Sequence, residues 1–224
     1  MKYIDLSYPL AAHWRWKFHK TIERDYTMGG PLREEILYMP VHCFTHMDPP
    51  AHADPEGAFI DEISLETLIG PAAVLDFSDF PDDTEITAED LEARGSHFSG
   101  GMVLIKTCRN LKYTLNEADF WMKSPYMGES AGKWLIEKKA TVVGFDFPQD
   151  YVLRDFFSGK VPTIEQMTMH ELLLKNGIVQ LEYLTNLDQL TAQEVQLYAI
   201  PLRLAHTAGS PARVFAAYDS RTDA

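Results

Sequence analysis

Cysteine is nearly absent from this sequence. Cys43 and Cys108 are the two in 224 residues, too few for a disulfide framework and at home in a reducing compartment. No apolar run is long enough to span a bilayer. The opening Met1-Lys2-Tyr3-Ile4-Asp5-Leu6-Ser7 is interrupted by Asp5 before an apolar signal core can form, so a cytoplasmic protein is expected. Positive charge is also scarce: 20 basic residues stand against 33 acidic ones, a net charge of −13. That balance opposes nucleic acid, which needs a basic footprint, and docking on anionic lipid. A small-molecule partner is expected instead. There is no internal repeat and no low-complexity linker, and the length fits one domain over residues 1–224.

What is present reads as alternating strands and helices. Residues 3–10 form an opening strand, and Arg33 to Met39 a second. Ala72 to Phe77, Met102 to Thr107 and Ala140 to Asp146 are apolar runs of the length of buried strands. Thr87 caps a helix with carboxylates in its first turn, and Glu129 to Lys139 is amphipathic, with Ala131, Trp134 and Leu135 on one face. Thr163-Ile164-Glu165-Gln166 is a capping box that predicts a helix to about Lys175, closed by Asn176-Gly177. Strands follow at 178–184, 196–204 and 211–217. The order argues an α/β fold with a mixed sheet and flanking helices.

The densest chemistry lies in Val41-His42-Cys43-Phe44-Thr45-His46-Met47-Asp48-Pro49-Pro50-Ala51-His52, which holds three of the eight histidines. Pro40, Pro49 and Pro50 exclude an ordinary helix, so an extended backbone is expected. Side chains would then alternate, placing His42, His46, Asp48 and His52 on one face and Cys43, Thr45 and Met47 on the other. Imidazoles beside a carboxylate point to a metal site, with His52 as a candidate proton carrier. Two partners lie downstream. His170 shares the inward stripe of its helix with Met167 and Leu174. Glu182 sits within an apolar strand, where a carboxylate needs a partner or a metal. The mixed nitrogen and oxygen set suits Zn²⁺ or Mn²⁺, as one or two ions.

This stretch resembles the motif of the cyclase family of metal-dependent hydrolases, which includes bacterial kynurenine formamidases and isatin hydrolases. The family pattern His-x-Gly-Thr/Ala-His-x-Asp-x-Pro-x-His is matched by His42, Thr45, His46, Asp48, Pro50 and His52. A later His-led helix and Glu-bearing strand are matched by His170-Glu171-Leu172-Leu173 and Leu181-Glu182. Val143-Gly144-Phe145-Asp146 resembles the family's Gly-x-Asp strand. Pro201 to Leu204 and Ser210 to Arg213 resemble its closing strands.

The resemblance implies a swivelling β/β/α fold, with His42, His46 and Asp48 ligating metal and His170 and Glu182 completing a second ion. It implies His52 as general acid/base, hydrolysis of a small aromatic or cyclic amide as in tryptophan catabolism, and a homodimer or homotetramer. Isatin-type lactam hydrolysis, true cyclisation or dehydration, and a non-catalytic binding member are the alternatives. Phe44 stands where the motif has glycine, so a reshaped pocket is expected. Trp14, Trp16 and Phe44 are the candidate substrate contacts.

Other residues have plainer readings. Cys43 is a buried filler, and His206 is structural. His13, His19, His97, Glu171 and the acidic run from Asp79 to Asp90 are expected to face solvent.

Overall fold

A computed structural model of the chain describes residues 1–218. The strands are β1 (Lys2–Asp5), β2 (His19–Arg24), β3 (Glu34–Tyr38), β4 (His46–Asp48), β5 (Ile69–Asp76), β6 (Glu85–Ile86), β7 (Gly101–Lys106), β8 (Tyr126–Met127), β9 (Ala140–Phe145), β10 (Val179–Glu182), β11 (Glu194–Pro201) and β12 (Ser210–Tyr218). The helices are α1 (Leu65–Leu68), α2 (Ala88–Gly95), α3 (Ala118–Met122) and α4 (Glu129–Glu137).

Eight strands form one sheet in the order β1-β12-β11-β5-β7-β9-β10-β4. β4 also pairs with β12, which closes seven of them into a barrel and leaves β1 on the outside of β12. Strands β5, β7, β9 and β10 are mutually parallel, as their helical crossovers require. The α/β class and mixed sheet expected from the sequence are therefore present. Side chains of the central strands alternate between two cores. Met102, Leu104, Val142 and Leu181 join a cluster drawn from strands right round the sheet. Val103, Ile105, Val143 and Phe145 face Leu91, Trp134 and Leu135 of α2 and α4. Thr87 caps α2 through Asp90, as its sequence predicts.

The expected Arg33–Met39 strand is present as Glu34–Tyr38 and pairs with β2 in a two-stranded ribbon. Every residue of β3 is exposed, so the ribbon carries no burial period. The extended reading of residues 41–52 holds only for His46–Asp48. Before it the backbone bends, with Phe44 at φ 51°, and after it Pro50 opens a 3-10 turn, Pro50–His52. The helix expected from Thr163 to Lys175 is split. The Thr163–Gln166 capping box closes on a single 3-10 turn, and a second helix begins at Thr168 and takes π geometry over His170–Leu174.

Candidate metal centre

β4 and β10 lie side by side, antiparallel, with His46 opposite Glu182 and Asp48 opposite Gln180. Directly opposed residues bring their side chains together on one face, so this register alone joins two residues 136 apart. A residue in the left-handed region bounds each strand at its site end, Phe44 before β4 and Tyr183 (φ 53°) after β10. The two ends are tied by the Thr45 hydroxyl, which donates to the Tyr183 carbonyl at 2.6 Å.

Six sequence-identified residues converge here. His46 donates Nδ1–H to the Phe44 carbonyl at 2.8 Å. That turns its Nε2 toward Asp48 Oδ1 at 3.3 Å and Glu182 Oε2 at 3.6 Å. His170 is fixed in the same way: Asp150 accepts from its Nδ1 at 2.6 Å, and Nε2 lies 3.0 Å from Glu182 and 3.6 Å from Asp48 Oδ2. The π turn at His170 is of the kind that re-aims a side chain at functional sites. His42 reaches Asp48 Oδ1 through Nδ1 at 2.6 Å, from the bend rather than from a shared strand face. Its ring stacks on His52 at 3.8 Å. Gly209 leaves room for the His42 ring, since a Cβ there would collide with it.

Two overlapping donor groups result. His42, Asp48 and His52 form one, and His46, Asp48 and Glu182 the other, with donor atoms within 4.8 Å of each other in each. His52 joins the first group, and Asp48, which the resemblance allows to bridge, is common to both.

The electrostatics are those of a buried ionic cluster. Burial pushes the Asp48 carboxyl up, but His46 and His42 outweigh it and hold Asp48 well below the usual carboxylate range. For Glu182 burial is likewise overcome, chiefly by His170. Burial pushes His170 down, but Glu182 and Asp150 carry it well above its ordinary value. His52 goes the other way: burial lowers it to about 4, with only partial relief from Asp48, so it is a neutral base. Asp48 Oδ2 is buried and accepts no hydrogen bond. An ionised oxygen left so is costly unless a cation meets it. The residues present therefore fit a metal ion, with His46, Asp48, His170, Glu182 and His42 as the nitrogen and oxygen donors that would hold it.

Three residues of this centre had no signal in the sequence. Asp150 fixes His170 and also accepts from the Met169 amide at 2.6 Å. Gln149 donates Nε2 to Glu182 and to Gln180 Oε1, and Gln180 in turn donates to the Met169 carbonyl at 3.1 Å. Gln149 and Asp150 are neighbours in the loop after β9, and Gln180 lies within β10 between Val179 and Leu181.

An aromatic wall adjoins the cluster. Tyr183 stacks at 5.7 Å on His46, and Trp16, Phe44 and Trp121 pack with it. Trp16 and Phe44 are buried in that wall. Trp14 is 41% exposed and lies against Phe157 at 4.0 Å. His13, expected in solvent, is half-buried between Trp14 and Trp16 and bonds the Leu115 carbonyl at 3.0 Å. His19, His97 and His206 are exposed, and Cys43 is buried with its Sγ on the Pro40 carbonyl. Part of the acidic run is not free: Asp82 pairs with Arg109 and Lys112. No helix among the described residues is long and apolar enough to cross a membrane.

The chain is similar to several known proteins. The kynurenine formamidase of Bacillus thuringiensis (strain Al Hakam) is 28% identical over 218 residues, covering 95% of each chain. That of Geobacillus thermodenitrificans (strain NG80-2) is 30% identical over 188 residues, covering 83% of this chain and 80% of its own. Isatin hydrolase A from Labrenzia aggregata, solved with benzyl benzoate, superposes with a TM-score of 0.77 at 25% identity, over 96% of this chain and 93% of that one. The family described as "Putative cyclase" matches residues 4–149, the span that carries the whole His42–His52 motif, and the chain belongs to that cyclase family.

Proposed function

We propose that the chain is a metal-dependent hydrolase that cleaves the carbon–nitrogen bond of a small aromatic amide, with arylformamidase activity as the leading case. The observation that carries this reading is the unbonded Asp48 Oδ2 inside a buried set of His46, His170 and Glu182 beside an aromatic wall. A divalent cation held there, Zn²⁺ or Mn²⁺, supplies positive charge to polarise a carbonyl and acidify a water toward pKa ~7.

The chain's own residues do the rest. Asp150 and the Phe44 carbonyl keep the protons of His170 and His46 on Nδ1, so that both Nε2 atoms face inward. His52, stacked on His42 beside Asp48, is the residue placed to take a proton from the attacking water and return it to the departing amine. Trp16, Phe44 and Tyr183 are packed inside the wall, and Trp14, exposed beside Trp121 and Phe157, offers the flat apolar surface for the aryl group.

The relatives named kynurenine formamidase favour N-formylkynurenine as the substrate, and the isatin hydrolase likeness favours lactams as the second reading. The exposed β2–β3 ribbon, with Ile22, Ile36, Leu37 and Tyr38 uncovered, supports a homodimer as the working form.

A panel of formanilides, N-formylkynurenine, isatin and aryl lactones tests the reading. Turnover that a chelator abolishes and Zn²⁺ or Mn²⁺ restores is the expected result, with metal analysis of the purified protein giving the ion and its stoichiometry. Bound metal with no turnover on any member of the panel would leave a binding protein instead.

A further inference from the structure

Arg15 is an unpaired cation in an acid-rich molecule. Among the described residues Arg24, Arg33, Arg94, Arg109, Arg154 and Arg213 each have a carboxylate within 4 Å. Arg15 has none, although the chain carries an excess of 13 negative charges. Arg203 also lacks one among the described residues, but it is exposed, whereas Arg15 is half-buried.

Its guanidinium is held in a box of rings. The Cζ atom lies 4.2 Å from the Phe156 centroid, 4.7 Å from Trp121, 5.4 Å from Trp16 and 5.7 Å from Tyr183. One hydrogen bond anchors it, Nη1 donating to the Tyr183 hydroxyl at 2.8 Å. Tyr183 is the next residue after Glu182, and its ring stacks on His46. Tyr183 thus touches both the guanidinium and the donor His46. The rings hold the charge in place by cation–π attraction without neutralising it. The remaining N–H groups form the planar fork that matches a carboxylate.

We propose that Arg15 recognises a carboxylate on the aryl substrate, so that the enzyme selects anionic aryl amides over neutral ones of the same shape. The proposal rests on the hydrolase reading above and adds the substrate's charge and the residue that reads it. A site built around an unmatched cation rejects the neutral analogue, because the charge is then left without a partner.

The test uses the metal-loaded full chain with formanilide and 2-formamidobenzoate, which differ by one carboxylate. Wild-type kcat/KM should favour 2-formamidobenzoate, and in Arg15→Gln the ratio of the two values should fall by about 10- to 100-fold, the usual weight of a hydrogen bond to a charged group. Arg15→Lys keeps the charge and should recover part of the ratio. An unchanged ratio in Arg15→Gln, whether or not both activities drop, means that Arg15 only packs the N-terminal segment onto Trp121 and Phe156, and overturns the proposal.

Titration calorimetry with 2-aminobenzoate against 2-aminobenzamide reads the same preference without turnover. Loss of that preference in Arg15→Gln supports the Arg15 assignment even if neither amide is hydrolysed, a result that would remove only the hydrolase reading. Retention of the preference removes Arg15 even where formanilide is cleaved.

Discussion

Gln149 donates its side-chain amide to Glu182 from the far side of the metal donors. Both residues are buried, and Gln149 Oε1 has no partner of its own, so the donation through Nε2 sets the orientation of the amide. Replacing Gln149 by leucine leaves Glu182 Oε1 facing an apolar side chain on that side. Partners of this kind typically govern metal affinity by about 10- to 100-fold. A fall of that size is expected in Gln149→Leu, measured by competition with a chromogenic chelator. Wild-type affinity in the variant would show that His46, Asp48 and His170 position Glu182 without help.

Gly209 borders the His42 ring so closely that any Cβ would overlap it. Gly209→Ala should therefore push His42 off Asp48 while leaving His46, His170 and Glu182 in register. Reduced metal stoichiometry or affinity is expected with little loss of thermal stability. A variant that binds metal as the wild type does would mean that the ring shifts freely and that His42 is not held in one place.

His52 lies within reach of Asp48 and stacks on His42, which leaves two roles open to it. As a proton carrier, its change to asparagine should cost roughly 10²–10⁴-fold in kcat with metal content unchanged. As a ligand, the same change should lower metal content first. Metal analysis alongside steady-state kinetics separates the two, and full metal with unimpaired kcat would exclude both.

Phe44 occupies a left-handed backbone position, which costs a non-glycine residue about 1–2 kcal/mol, yet its ring is buried among Trp16, Tyr183 and Trp121. Losing a buried phenylalanine costs about 3–5 kcal/mol. The second effect is larger, so Phe44→Gly should be less stable by about 2 kcal/mol despite restoring the residue the motif prefers. At roughly 2–4 °C per kcal/mol for a chain of this size, the melting temperature should drop by several degrees. A more stable variant would mean that backbone strain, not packing, dominates there.

Asp82 takes hydrogen bonds from Lys112, Tyr113 and Arg109 that lower its carboxyl from an ordinary 3.8 to about 2. Its pKa is lower in the folded chain than in the unfolded one. Its contribution to stability is therefore complete above about pH 4 and disappears as pH falls through 2. Wild type and Asp82→Asn should differ most in denaturation midpoint near neutral pH and converge in strong acid. A gap that stays constant to pH 2 would place the effect elsewhere.

The sheet was legible because its central strands are apolar on both faces, as burial between a barrel interior and two helices requires. The candidate metal cluster was legible because three histidines and an aspartate crowd eleven residues. Their geometry was not. The bend at Phe44 is invisible in a residue that rarely takes positive φ, so an even spacing was read as a continuous strand. His42 reaches Asp48 by that bend instead. β3 is legible as the Arg33–Met39 strand, but its partner β2 left no trace because neither face of that strand is buried consistently. Gln149 and Asp150 are an adjacent polar pair beyond the end of an apolar strand, with no repeat or spacing to mark them.

β4 is inserted between β10 and β12, pairing with both. The histidine-rich segment leaves the ribosome early, but the residue opposite His46 arrives 136 positions later and Pro211 later still. Long-range contacts of this kind form slowly, because the intervening loop must be closed before they are rewarded. A nascent chain stopped short of Glu182 carries the complete motif but lacks the carboxylate that faces His46 across the sheet. Metal uptake during synthesis should accordingly mark the last closure of the barrel rather than its first step.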